Sequence, residues 1–159
     1  MRYIVSAIIA VAFGFILSLP ASAAGARVNE FDHVFGLVHC SAKGICIVKE
    51  NDGGVIADFQ QAAYAVNRTA MRVVIAGPCY SACTVFADLA RTHVCITRDA
   101  VFGFHMAAIG GQPDWSDPLP GNSGDIVKWV NAHGGYPTPD RLLMMNYADA
   151  STFWKRCST

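Results

Sequence analysis

The run Val73-Val74-Ile75-Ala76 enters Gly77-Pro78-Cys79-Tyr80-Ser81-Ala82-Cys83, and a stretch of small and apolar residues leaves it. A buried strand that turns through glycine into a helix commits the chain to an α/β arrangement, because strand and helix must cover a shared apolar face. The same turn puts Ser81 where the helix begins. A serine on such a turn is how a fold exposes a nucleophile at a helix N-terminus. A later apolar segment, Val101-Phe102-Gly103-Phe104, ends in His105, 24 residues beyond Ser81. A histidine at a strand end can reach back to the serine oxygen. Each residue also has an ordinary reading, serine as a helix cap and histidine as a hydrogen-bonded strand residue, and it is their pairing that points to chemistry.

The pattern around this turn predicts one domain. Residues 35–39 and 45–48 read as short strands around a turn between Cys40 and Cys46. In residues 55–67, Ile56, Phe59, Ala63 and Val66 recur at helical spacing. A strand over 72–76, a helix over 82–91 and strands over 94–96 and 101–105 follow. Residues 108–124 are rich in Gly, Pro, Asp and Ser and are expected as a loop beside the histidine. A helix is expected over 125–132, with Ser123 as cap and His133-Gly134-Gly135 as its end. Thr138-Pro139-Asp140 has the form of a helix start, which predicts a further helix to about Tyr147. Strands alternating with helices imply an α/β domain with mostly parallel pairing.

The first residues have a different character. Met1-Arg2 is followed by an uncharged apolar run to Leu19, a breaking Pro20, and Ala21-Ser22-Ala23, the small-x-small pattern of a cleavage site. Residues 1–23 are therefore expected to be a signal peptide and residues 24–159 a single domain. The rival, an uncleaved anchor, would be the chain's only link to a membrane. Of the 159 residues, 136 remain after cleavage, enough for a substantial core. Lysine plus arginine and aspartate plus glutamate both number 12, without a basic run, so no nucleic-acid partner is expected.

All six cysteines lie beyond the cleavage site. An even number in an exported chain favours disulfides, and an oxidising location, periplasmic or extracellular, is expected. Cys40 and Cys46 are suited to a local bridge. Cys95, on the strand after the Ser81 helix, is expected to meet Cys79 or Cys83. Scattered histidines and the lack of closely spaced Cys-x-x-Cys pairs argue against a metal, and no cofactor is expected.

Asp52-Gly53-Gly54-Val55-Ile56, then a helix, a strand, Gly-x-Cys-x-Ser81 and Gly103-Phe104-His105, resembles the Clp protease proteolytic subunit and the wider ClpP/crotonase superfamily. Gly54 precedes Ser81 by 27 residues, and the resemblance spans roughly residues 45–106. It implies a ClpP/crotonase-like spiral of β-β-α units with mostly parallel strands. It also implies a Ser81 nucleophile, His105 as general base, and an oxyanion hole from the backbone N–H groups of Gly54 and Ala82. The third member of the triad falls on Asp149, with Asp140 and Asp125 as rivals. The implied activity is a serine hydrolase, foremost a peptidase, acting on a peptide or a small acyl substrate. A catalytically silent ClpP-like module for envelope binding or homo-oligomerisation is the alternative, and crotonase-type thioester chemistry is a third reading. The loop over 108–124 stands where the Clp rings have an interlocking helix, and no further strand is expected after Asp149.

Overall fold

The computed structural model describes residues 29–116 and 121–158; the expected signal segment lies outside them. Among the described residues no helix is long and apolar enough to cross a membrane.

The described residues begin with helix α1 (Asn29–Phe35), then strands β1 (His39–Cys40) and β2 (Ile45–Val48), and helix α2 (Ile56–Asn67). Strands β3 (Arg72–Ile75) and β4 (Pro78–Tyr80) lead into helix α3 (Ala82–Leu89), which is followed by β5 (Val94–Ile96) and β6 (Val101–Phe104). A small hairpin, β7 (Ala108–Ile109) and β8 (Gln112–Pro113), precedes helix α4 (Gly124–Ala132). Strand β9 (Leu143–Met145), helix α5 (Tyr147–Ala150) and strand β10 (Lys155–Arg156) complete the described elements.

The strands form a mixed α/β fold with two principal sheets. One has the order β1-β2-β3-β5-β10, all parallel except the β1–β2 pair; the other has the order β4-β6-β9, with β4 and β6 parallel and β9 antiparallel to β6. The chain passes from the first sheet to the second at β3–β4 and again at β5–β6, and returns between β4 and β5 and between β9 and β10. Ser81 and His105 thus follow adjacent parallel strands, β4 and β6, at the same sheet end.

The core lies between the helices and these sheets. Phe31 and Phe35 of α1 pack on Phe59 of α2 and Phe86 of α3, with Val73 and Ile75 of β3 buried nearby in the same cluster. On the other side Trp154 stacks on Phe102 at a ring separation of 4.2 Å and donates its indole N–H to Ala87 O at 2.8 Å. Of these aromatic side chains Phe31, Phe59, Phe86, Phe102 and Trp154 are buried, and such groups supply much of the apolar area that offsets chain entropy in a domain this small.

Several expectations are corrected. Residues 35–39 are not a strand: Phe35 ends α1, and only His39 and Cys40 pair with β2. The buried Phe31 sets this segment, because a helix places Phe31 and Phe35 one turn apart on one face. Residues 138–147 are not a helix either. Thr138 and Asp140 make one turn, in which Arg141 N bonds Thr138 O at 3.0 Å, and the chain then runs extended as β9. Met144 points out while Met145 is buried, so a two-residue alternation and pairing with β6 override the cap signal. A strand does follow Asp149, since β10 pairs parallel with β5. The expected 108–124 loop carries the β7–β8 hairpin, with residues 117–120 outside the described ones.

Three disulfides close the six cysteines: Cys40–Cys46, Cys79–Cys83 and Cys95–Cys157. Cys95 therefore does not meet Cys79 or Cys83. It sits in the first sheet with β10 as its parallel neighbour, Lys155 opposite it and Cys157 just beyond, whereas Cys79 belongs to the second sheet. Three bridges and no free cysteine among the described residues suit an oxidising, extracytoplasmic environment.

Candidate active site

Ser81 has φ 53° and ψ −126°, the one non-glycine residue with positive φ among those described. Such a backbone costs of order 1–3 kcal/mol and persists only where its surroundings impose it. Those surroundings are identifiable. The Ser81 N–H donates to Gly103 O at 2.8 Å, and Thr84 returns both its N–H, at 2.9 Å, and its hydroxyl, at 2.8 Å, to Ser81 O. Tyr80 N bonds Asn51 O at 2.9 Å, fixing β4 to the segment before the glycine pair. The Cys79–Cys83 bridge spans the turn.

Gly53 packs directly on this turn. A Cβ there would lie 2.6 Å from Ser81 Cβ, 2.7 Å from Tyr80 O and 2.8 Å from Ala82 N, and its φ is +90°. Only glycine fits such an approach of backbone to backbone. Asn51 Oδ1 accepts from Gly53 N at 2.9 Å and holds the loop in place.

Ser81 occupies the N-cap position of α3 but makes no capping bond with its side chain. Its hydroxyl is left for other use. The amides of Gly54 and Ala82, the expected oxyanion donors, have no hydrogen-bond partner among the described residues. The free amide of Ala82 is the first of the α3 helix, where the helix dipole adds positive potential.

His105 and Ser81 line one cavity of about 20 Å³, together with Ile56, Ala82, Val85, Phe104, Asn122 and Tyr136 among others. No hydrogen bond joins the serine and the ring among the described residues; apo sites often have this slack. His105 Nδ1 lies 2.6 Å from Met106 O. A carbonyl oxygen only accepts, so in the neutral ring Nδ1 carries the proton and Nε2 offers its lone pair. The imidazole is thus set in the tautomer of a general base by main chain.

The three candidate acids are elsewhere or otherwise engaged. The Asp149 carboxylate, on α5, has no hydrogen bond or ion pair among the described residues, and Asn146 Oδ1 caps the Asp149 N–H. Asp125 pairs with Arg91 at 2.6 Å, and this hydrogen bond, then one from Ser123, holds its carboxyl well below the usual range. Asp140 accepts from the Thr138 hydroxyl at 2.5 Å, which lowers its pKa. Asp140 and Asp52 do line a second, open cavity of about 400 Å³ that His105 also borders, with Tyr80, Arg141 and Leu142. The position an acid would take at Nδ1 is filled by the Met106 carbonyl.

Two residues with no motif to mark them also line the Ser81 cavity. Asn122 precedes the α4 cap, and Tyr136 follows the glycines that end α4. Asn122 is brought there by the bonds of Ser123 to Asp88 of α3, and Tyr136 by the adjacent Pro137 O, which accepts from Met106 N at 2.8 Å. Asp88 of α3 accepts from Ser123 N at 2.5 Å and Ser123 Oγ at 2.9 Å, and binds Arg91, which reaches on to Asp125. No family model and no curated protein matches this chain.

Proposed function

We propose that this protein is an exported serine hydrolase of the ClpP type that cleaves peptides through an acyl-enzyme on Ser81. The observation that carries the reading is the strained Ser81 backbone, held at a strand-to-helix turn in the wall that His105 shares. Strain of this kind is retained where it aims a nucleophile. A serine kept only for capping would have an extended backbone and would use its hydroxyl on the helix.

In this reading Ser81 Oγ attacks the substrate carbonyl carbon as His105 Nε2 takes the hydroxyl proton. The carbonyl oxygen becomes an oxyanion and accepts hydrogen bonds from the Gly54 and Ala82 amides, each such donor being worth about 3 kcal/mol in the transition state. The intermediate collapses, the carbon–nitrogen bond breaks, and His105 passes its proton to the leaving amine. Water then attacks the acyl-enzyme with His105 again as base, freeing the acid and restoring Ser81. Met106 O holds the imidazole tautomer, the task an aspartate has in a triad. It adds no charge to stabilise the imidazolium, which suits a slower enzyme. The alternation of consecutive strands between two sheets is compatible with the spiral that the resemblance implies.

One observation favours the silent binding or oligomerisation module instead: the Ser81 hydroxyl and the His105 ring have no hydrogen bond between them among the described residues. A fluorophosphonate probe on the oxidised, folded protein decides between the two. Covalent labelling of wild type, lost in Ser81→Ala and reduced at least about 100-fold in His105→Ala, is expected for the hydrolase. Asp149→Ala is expected to label within about threefold of wild type, since its carboxylate is not at the ring. No labelling of folded wild type selects the module.

A further inference from the structure

Three of the four outer edges of the two principal sheets are guarded against a further strand. Strand β1 is two residues long and is tied to β2 by the Cys40–Cys46 bridge. Strand β10 carries Lys155 and Arg156, both exposed. Strand β4 is covered by Asn51, whose N–H donates to Pro78 O at 2.9 Å and whose carbonyl accepts from Tyr80 N at 2.9 Å. Short length, basic side chains and a covering segment are the devices by which proteins keep an edge from pairing.

Strand β9 has none of these guards. One side of it pairs with β6, and no other main-chain hydrogen bond is made by residues 142–145 among the described residues. Alternate N–H and C=O groups of such a strand point outwards unpaired. The sequence there, Leu142-Leu143-Met144-Met145, has neither charge nor proline. Side chains alternate between faces, so Met145 is buried, whereas Leu142 and Met144 share the outer face and are 38% and 44% exposed. The second sheet thus ends in a bare apolar strand, a template for another.

Position and charge narrow what pairs there. A strand added to β9 lies roughly 14 Å across the sheet from β4, which leads to Ser81, so it is not the segment that Ser81 would attack. Antiparallel pairing of β9 with the β9 of a second copy is self-complementary, because a two-fold axis presents the same groups from both sides. It also sets the start of each strand against the end of the other. Arg141, just before β9, and Asp149, in α5 just after it, carry opposite charges, and neither has an ion pair among the described residues. The two-fold brings them towards each other twice. With 12 basic and 12 acidic residues, two copies meet without net repulsion. We propose that the free edge of β9 is a homodimer interface, which joins the second sheets of two copies into one and covers Leu142 and Met144 of each. The inference is independent of the hydrolase reading.

The test is sedimentation of the oxidised, folded protein across a dilution series, with amide hydrogen exchange measured at each concentration. A monomer–dimer equilibrium is expected, with slower exchange in residues 143–145 of the dimer. Met144→Lys places a charge on the pairing face and is expected to raise the dissociation constant at least about tenfold. Met144 is exposed, so the thermal midpoint of the dilute variant should match that of dilute wild type, which shows that the fold is kept. Arg141→Glu and Asp149→Arg are each expected to weaken the dimer about twofold or more, and the double variant to recover it. A monomer at every concentration overturns the interface; slower exchange of the same amides on adding an extended peptide would then assign the edge to a peptide. A dimer that Met144→Lys leaves unchanged, or whose residues 143–145 gain no protection, overturns it too. No recovery in the double variant overturns the two-fold antiparallel arrangement.

Discussion

Ser81 combines two properties that are seldom found together, a helix-start position and a backbone angle suited to glycine. The hydroxyl is the reason to tolerate that angle. A variant without the hydroxyl therefore gains from losing the Cβ as well: Ser81→Gly is expected to be more stable than Ser81→Ala by about 1 kcal/mol, after allowing for the freer unfolded chain, in urea denaturation. Equal stabilities would show that the surroundings impose no strain. Gly53 has the opposite sensitivity, because a methyl group there meets main-chain atoms of residues 80 and 82 that have no room to yield. The serine, the glycine pair and the histidine were legible in the sequence because a turn motif and two apolar runs mark them. Asn122 and Tyr136 were not, since no periodicity or spacing singles out residues placed by tertiary bonds of their neighbours, Ser123 to Asp88 and Pro137 O to Met106 N. Asp149 rests on the resemblance alone, with no turn motif or apolar run to mark it, and the ring nitrogen a triad acid would hold is bonded to Met106 O.

At the scale of elements, α2, α3, β2, β3, β5, β6 and α4 follow from apolar periodicity, and their expected bounds differ from the observed ones by two residues at most. The misread segments are those where a local signal opposed a tertiary one. A proline after threonine suggested a helix, yet β6 needed an antiparallel neighbour and took residues 143–145. The docking of α4 rests on the Asp88–Arg91–Ser123–Asp125 cluster, which can be tested by pH. Asp125 titrates lower in the folded protein than in the unfolded chain, because Arg91 and Ser123 bond its ionised form. Its contribution is therefore present above the unfolded pKa, near 4, and fades as pH falls below that. Asp125→Asn is expected to abolish this part of the acid sensitivity: the wild-type advantage in urea midpoint at pH 6 should shrink steadily below pH 4. A constant gap across that range would contradict the assignment. With the Asp125 carboxylate half exposed, the effect is expected to be small and weakened by salt.

At the scale of the whole molecule, the three bridges differ in the length of chain they close. Loop-closure entropy assigns about 2 kcal/mol to a span such as Cys40–Cys46 or Cys79–Cys83, and about 4 kcal/mol to Cys95–Cys157, whose cysteines are 62 positions apart. Replacing the last pair by alanine is thus expected to lower the thermal midpoint most, while replacing Cys79 and Cys83 should reduce fluorophosphonate labelling out of proportion to its effect on stability. Comparing midpoint with labelling rate for each double variant checks both. The close approach of Gly53 to the Ser81 turn also bears on descent. The blocking atoms are Tyr80 O, Ala82 N and a Cβ that alanine shares with serine, so a lineage must keep a hydrogen at position 53 for as long as it keeps this turn. Position 53 should therefore stay glycine even in a cousin of this chain whose serine has drifted to alanine, and a larger residue there would mark a cousin whose turn has been rebuilt.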